Sequence, residues 1–307
     1  MKKIHTILLL SFLIGSLSAS STLLPSGKGV IIRKGETLKY FVFEPKNVSQ
    51  QKGDIFYLPS LFNNPSESQD LLEQWVEMGF RVISIKHRNL KIEDSLEDLQ
   101  EVEKLTRIRQ EVPIFVAGWS KGGLTALRLL QSEIDFGGRT LKGIVVFAPF
   151  IGAALGQFSP DLIHDDPRSK PETNVSFSEI YNLLNNGFAV RNKKQKNIPI
   201  LAFIPGEDMH VDPSVTLDWV NWRYYLGYEI YPYFCPEGYH EVQHETHNEI
   251  SNTVQYVTSL FLALAQEGRQ ADFKDLTSEY FSACRLYSYD SRKIKSLKAL
   301  KTEPLAP

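Results

Sequence analysis

The stretch VPIFVAGWSKGGLTALRLL, residues 112–130, decides how the chain folds. Its first part, 112–118, is a short continuous apolar run, which predicts a buried strand. Its second part carries Leu124, Leu127 and Leu130 at helical spacing. Between the two stand Gly118, Trp119, Ser120, Lys121 and Gly122. A serine at a sharp strand-to-helix turn is thrown out at the edge of the sheet. Glycines at 118 and 122 lack the Cβ that would block the turn and the close approach of the helix. The backbone N–H of Lys121, opening the helix, points at the same place, and the helix N-terminus favours negative charge there. A nucleophilic serine needs both: a projecting oxygen and a donor for the oxyanion that forms when it attacks.

The surrounding sequence repeats the alternation. A strand pair is predicted over 29–45, turning at Lys34-Gly35. Further strands are predicted over 53–59, 81–87, 142–150, 198–206 and 228–234. Helices separate them. One follows Asn64 and Pro65, which suit a cap and a first helical position, with Leu71, Leu72, Trp75 and Val76 on one face and Gly79 at its end. Another covers 92–110, with Leu96, Leu99, Val102 and Leu105 along one side. A last one covers 248–267, with Ile250, Val254, Val257, Phe261 and Leu264 spaced four, three, four, three. The strands are continuous apolar runs. The fold class is therefore α/β: a mainly parallel sheet with helices on both faces and an antiparallel start.

Residues 151–195 break the rhythm. They begin small and apolar, turn polar and proline-containing, and offer a short helix around Phe177, Ile180, Leu183 and Leu184. A basic patch, Arg191 to Lys196, ends them. A connection this long inside a compact domain is usually functional, often a lid.

Composition bounds the rest. The 307 residues are 42% hydrophobic and 23% charged, enough apolar material for one α/β domain with an insertion. The net charge of −2 gives no electrostatic case for nucleic-acid binding. Residues 1–20 pair Lys2-Lys3 with an apolar run from Ile7 to Leu17 and small residues Ser18-Ala19-Ser20, the pattern of a secretory signal peptide. The alternative is an uncleaved membrane anchor, for which the run is shorter than the roughly 20 residues a span needs. The domain is expected over 21–285, with a basic tail over 286–307. Cys235 and Cys284 are the two cysteines; export would allow a disulfide, and the sequence leaves their pairing open.

The serine has partners in the required order: serine, acid, histidine. After the strand ending near 206 comes PGEDMHVDP, residues 205–213. Asp208 lies just past the carboxyl end of that strand, where α/β sheets place catalytic groups. Glu207 and Asp212 are rivals, although Asp212 before Pro213 looks like a helix cap. After the next strand comes CPEGYHEVQHETHNEI, residues 235–250, with His240, His244 and His247. His240 comes first, beside Gly238, and is preferred; a His240-x3-His244 metal pair lacks a third ligand, so no metal or cofactor is expected. The second oxyanion donor should come from Ser60 or Leu61, in the loop after the strand 53–59; Pro59 has no N–H to give. Phe177, Tyr181 and Leu184 in the insertion, with Trp119, are expected to wall the substrate, unless they are ordinary core.

Three segments resemble the α/β-hydrolase superfamily: Gly118-Trp119-Ser120-Lys121-Gly122-Gly123, Gly206-Glu207-Asp208-Met209-His210-Val211 and His240-Glu241-Val242-Gln243-His244-Glu245. The last is similar to the branch of monoacylglycerol lipases, lysophospholipases and serine aminopeptidase-like proteins. The resemblance covers roughly 29–267. It implies a cap after the sixth strand, here 151–195, and carries the nucleophile to Ser120, the acid to Asp208 and the base to His240. Two segments depart from that branch: YLPSLFNN, residues 57–64, where it has His-Gly, and KHRNLK, residues 86–91, where a glycine follows the arginine. The expected function is an exported serine hydrolase cleaving a carboxylic ester, taking a small-molecule or lipid ester with room for contact at a membrane surface. The alternatives are a peptidase or amidase on the same triad, and a catalytically silent hydrolase-like fold that binds. Oligomeric state is not legible.

Overall fold

The computed structural model describes residues 25–33, 35–60, 63, 65–151, 177–190, 195–208, 210–243, 249–277 and 283–287. The expected signal peptide, most of the insertion and the tail beyond Tyr287 lie outside these residues. None of the described helices is long and apolar enough to cross a membrane.

The chain opens with the antiparallel hairpin β1 (Gly27–Arg33) and β2 (Glu36–Phe43). Gly35 turns it at φ +81°, backbone that glycine tolerates. There follow β3 (Gly53–Leu58), helix α1 (Gln69–Glu77), β4 (Phe80–Lys86), α2 (Ile92–Thr106), β5 (Ile114–Trp119), α3 (Lys121–Arg128) and β6 (Leu141–Phe147). The second half contains α4 (Phe177–Ala189), β7 (Ile200–Pro205), α5 (Pro213–Tyr225), β8 (Ile230–Cys235), α6 (Glu249–Glu267), α7 (Phe273–Thr277) and β9 (Arg285–Leu286). The strands form one nine-stranded sheet in the order β1-β2-β4-β3-β5-β6-β7-β8-β9. From β4 to β8 every neighbouring pair is parallel, while β1, β2 and β9 make antiparallel edges.

Continuous apolar strands end up covered on both faces, as a parallel sheet requires. Alternate residues serve opposite faces. Phe56, Leu58, Val116, Val146 and Ile204 pack on one side with Leu99 and Val102 of α2, Leu124 and Leu127 of α3 and Trp219 of α5. Ile55, Tyr57, Phe115, Phe147 and Phe203 pack on the other, against Leu71 and Trp75 of α1 and Val254, Val257 and Phe261 of α6. The five apolar positions anticipated on the last helix are all buried.

Two helix expectations needed correction. The helix anticipated from Asn64 begins as a 3₁₀ turn over Pro65–Ser68, and its α-helical part starts at Gln69. The helix anticipated over 92–110 stops at Thr106, and Leu105 is exposed. Its buried side includes Asp94, Asp98 and Glu103, each held by arginine, because ion pairing lets carboxylates replace apolar residues there. Of helix α5 only the cap was anticipated: Asp212 accepts from Ser214 N at 2.8 Å; strand β9, two residues long, was not anticipated. The cysteine question is answered by a disulfide between Cys235, ending β8, and Cys284, preceding β9, which ties the sheet edge together.

Candidate active site

Strands β5, β7 and β8 run parallel, so their carboxyl ends share one edge of the sheet. The loops leaving that edge carry Ser120, Asp208 and His240.

Ser120 stands alone between β5 and α3, at φ 52° and ψ −114°. Such backbone costs on the order of 1–3 kcal/mol and persists only when its surroundings impose it. Here the imposition is visible. Ser120 N donates to Phe147 O at 3.0 Å, and its carbonyl accepts from both Leu124 N and Phe150 N at 3.0 Å. A Cβ on Gly118 would overlap the backbone of Gly122, and one on Gly122 would overlap the carbonyl oxygen of Leu58. The two glycines thus permit a turn in which α3 lies directly against the end of β3.

Asp208 and His240 form a buried pair. Asp208 Oδ1 accepts from the backbone N–H groups of His210 at 2.8 Å and Val211 at 2.9 Å. Its Oδ2 lies 2.8 Å from His240 Nδ1. With the carboxylate accepting, His240 carries its proton on Nδ1 and leaves Nε2 with a lone pair, the tautomer a general base needs. The two loops are also joined by Glu207 N donating to Gly238 O at 2.9 Å. Of the rival acids, Glu207 is exposed and Asp212 serves as the cap of α5. His244 and His247 lie outside the described residues.

Trp119, anticipated as a substrate contact, is buried. Its Nε1 donates to the carbonyl of His240 at 2.8 Å, and its ring lies 5.6 Å from the imidazole. It therefore supports the His240 loop. The residue before the serine and the histidine loop are fastened together by that bond. Among the described residues no hydrogen bond joins Ser120 Oγ to His240 itself. His210, which the sequence reading passed over, stands edge-on to His240 with ring centres 4.8 Å apart. Its place two residues past the acid was the available signal.

Ser60 follows the end of β3, half-buried, and its carbonyl accepts from Asn63 N at 3.3 Å. Leu61 lies outside the described residues, as do the side chains of Phe177 and Tyr181. Leu184 packs partly buried against the core on the α2–α3 side of the sheet. Helix α4 is fixed to that side by Asn186, which accepts from Arg128 Nε at 2.9 Å and donates to Glu93 at 3.0 Å.

Lys121 differs most from what its sequence suggests. Its side chain turns inward, is buried, and donates from Nζ to Ser95 Oγ at 2.7 Å. Burial pushes its pKa down to about 7, against the pull of Asp98 and Asp94. Ser95 Oγ in turn lies 3.2 Å from Nδ1 of His87. The His87 imidazole is also buried, and desolvation followed by the nearby Lys121 charge holds its pKa well below the usual histidine range. Neither His87 nor Ser95 was singled out in sequence; a histidine at the carboxyl end of β4 was the only hint.

No family model matches the sequence, and neither does any curated protein. Solved structures do match. A lipase in its open form superposes with a TM-score of 0.62 at 14% identity, over 78% of this chain and 99% of that one. The fold is that of the α/β-hydrolases. The α/β-hydrolase frame recurs in a soluble variant of monoglyceride lipase from Saccharomyces cerevisiae, with a TM-score of 0.60 at 13% identity over 81% of this chain and 98% of that one. A thermostable carboxyl esterase from Bacillus coagulans superposes equally well, at 0.60 and 12% identity, over 78% and 99% of the two chains.

Proposed function

We propose that this α/β-hydrolase-fold chain is a serine hydrolase that cleaves a carboxylic ester. The observation that carries the reading is the buried Asp208–His240 pair, at 2.8 Å, on the same sheet edge as the strained turn at Ser120. A serine held at positive φ is costly, and a histidine held in one tautomer by a carboxylate has little structural use. Together they fit acyl transfer.

In this reading Ser120 Oγ attacks the ester carbonyl carbon as its proton passes to His240 Nε2. Asp208 keeps the imidazole oriented and stabilises its charged form without taking the proton. The tetrahedral oxyanion accepts from Lys121 N–H and from a backbone N–H of Ser60 or Leu61. His240 then returns the proton to the departing alcohol, and the acyl group stays on Ser120. Water repeats the cycle: it gives a proton to His240, attacks the acyl carbon, and releases the acid as Ser120 regains its hydrogen. The lipase, monoglyceride lipase and carboxyl esterase that share the fold support an ester as substrate. The insertion, with Phe177, Tyr181 and Leu184, supplies apolar material for the acyl side. Residues 1–20 direct the chain out of the cytoplasm, consistent with its disulfide.

The test is a fluorophosphonate probe on protein lacking residues 1–20, read by mass spectrometry. Labelling is expected on Ser120 and is lost in Ser120→Ala. Matched p-nitrophenyl esters and anilides of rising acyl length then separate an esterase from an amidase. A folded wild-type protein that takes no label would refute the hydrolase reading and leave the fold to a binding role.

A further inference from the structure

We propose that the Cys235–Cys284 disulfide is a positioning element for the acid–base pair: through the Cys235 carbonyl it sets the spacing of Asp208 and His240. The inference rests on the serine-hydrolase reading above and extends it to residues that do not touch the substrate.

Asp208 and His240 stand on different loops, and one backbone oxygen is common to both. The Cys235 carbonyl accepts from Gly206 N at 2.7 Å and from Gly238 N at 3.0 Å. Gly206 lies two residues before Asp208, and Gly238 lies two residues before His240. Each loop is therefore fastened at the same distance in sequence from its working side chain. The loops also press together: a Cβ on Gly206 would stand 2.3 Å from the Pro236 carbonyl oxygen. Pro236, with its ring-locked φ, stiffens the step from Cys235 toward Gly238. Glu207 N closes the frame by donating to Gly238 O at 2.9 Å. Across that frame stands the 2.8 Å contact between Asp208 Oδ2 and His240 Nδ1. A shift of the Cys235 peptide moves both of its ends.

The disulfide holds that peptide from the outer side. Cys235 is the last residue of β8, and on its inner side it is in register with Pro205 of β7. On the outer side β9 supplies two rungs, Tyr233 with Leu286 and Phe234 with Arg285. The next rung of that antiparallel register sets Cys235 opposite Cys284, and there the disulfide takes over from the ladder. Both cysteines are buried. Stability alone does not select this rung. The loop entropy a disulfide removes depends on the length it closes, which a move of one rung hardly changes. The rung chosen is the one whose carbonyl fastens both loops.

The experiment compares wild type, Cys284→Ala, Gly238→Ala and the Cys284→Ala/Gly238→Ala double variant on p-nitrophenyl butyrate across pH. Active sites are counted by exhaustive fluorophosphonate titration, so misfolded protein does not enter kcat. Gly238→Ala keeps the disulfide but sets a Cβ 3.0 Å from Cys235 Cβ and 3.2 Å from its carbonyl oxygen, so it disturbs the same frame by another route. A displacement of about 1 Å can cost about 100-fold in rate, so each single variant is expected to lower kcat about tenfold or more with KM within about twofold. The acid limb of kcat/KM moves to lower pH by about half a unit, because a carboxylate held less closely stabilises the charged imidazole less. His210, the other titratable ring facing His240, is the same in every variant. The double variant is no worse than the poorer single, because the members act as one unit. A Cys284→Ala protein that melts lower but keeps kcat per titrated site and its pH profile makes the disulfide a structural staple and overturns the proposal. So does an unchanged rate and profile in Gly238→Ala, or losses that multiply in the double variant. A wild type that takes no label on Ser120 removes the hydrolase reading first, and that outcome is visible before any variant is made.

Discussion

The sheet carries a buried polar network at each end, and the two are built on opposite terms. At the amino ends of β3 and β4, Asp54 accepts from Arg81 Nε and Nη2 at 2.8 Å, from Arg139 Nη2 at 2.7 Å and from Gln51. Arg139 also bonds the Val112 carbonyl and Glu103, which holds Arg107 in turn. Cations and anions alternate, and each charge faces its opposite. At the carboxyl ends, Lys121, Ser95 and His87 make a chain with a cation and, among the described residues, no carboxylate in direct contact. With Glu44 3.9 Å from Arg81, the first network sets three arginines against three carboxylates, and it fastens β3 to β4 and to the turn before β6. The second is left short of charge balance, and both of its basic groups are pushed toward neutrality by burial. Ion pairing accounts for the first; it does not account for the second, which sits by the Ser120 turn, where Gly122 meets the carbonyls of Leu58 and Pro59.

The comparison predicts that variants at the two ends fail differently. The largest effect belongs to the carboxyl end. Asp208→Asn is expected to cost about 10⁴-fold in kcat, since an amide that donates to Nδ1 would select the wrong imidazole tautomer. Asp212→Asn, four residues on, should stay within about twofold, because asparagine caps a helix as well as aspartate does. Steady-state kinetics on both variants checks the pair. If the losses are reversed, the acid has been placed on the wrong carboxylate.

Next in size is the amino end. Asp54→Ala leaves Arg81 and Arg139 buried with much of their counter-charge gone, and breaking such a pair costs about 3–5 kcal/mol. Urea denaturation is expected to register that loss. Activity per titrated site should stay within about twofold of wild type, because nothing at that end approaches Ser120. A change in kcat without a change in stability would erase the distinction between the two networks.

How much of this was legible in the sequence follows the same divide. The elbow at Ser120 could be read because its chemistry is local: strand, two glycines, serine and helix are contiguous. Asp208 and His240 could be read because each directly follows an apolar strand, so topology brings them together. Of helix α5 only the Asp212 cap could be read, because Trp219, Trp222, Tyr224 and Tyr225 crowd its sides without a clear apolar face. Strand β9, two residues long, has no periodicity to detect and is set by pairing with β8 and by the disulfide. Neither network could be read. Asp54 and Arg139 are 85 residues apart, and Lys121 and Ser95 are 26 apart, so only the folded sheet makes them neighbours. For the same reason the sequence gives no role to the Lys121 side chain, only to its backbone N–H. The bond from the Trp119 ring to the His240 carbonyl could not be read either, because 121 residues separate the two.

The smallest effect tests the charge imbalance directly. The Lys121 pKa is about 7 in the folded chain, against 10.5 as its ordinary value. Between those pH values the unfolded chain holds the proton and the folded chain does not. Stability from this group therefore rises with pH across that window, and the folded state carries its full penalty only below about pH 7. For a group titrating near 7, the gain from pH 7 to pH 9 is on the order of 2 kcal/mol. Lys121→Met cannot titrate and should lack it. Denaturation of both proteins at the two pH values isolates the difference, because the other titrating groups are common to both. A difference near zero would mean that Lys121 is as well solvated as a surface lysine, and the contrast between the two networks would collapse.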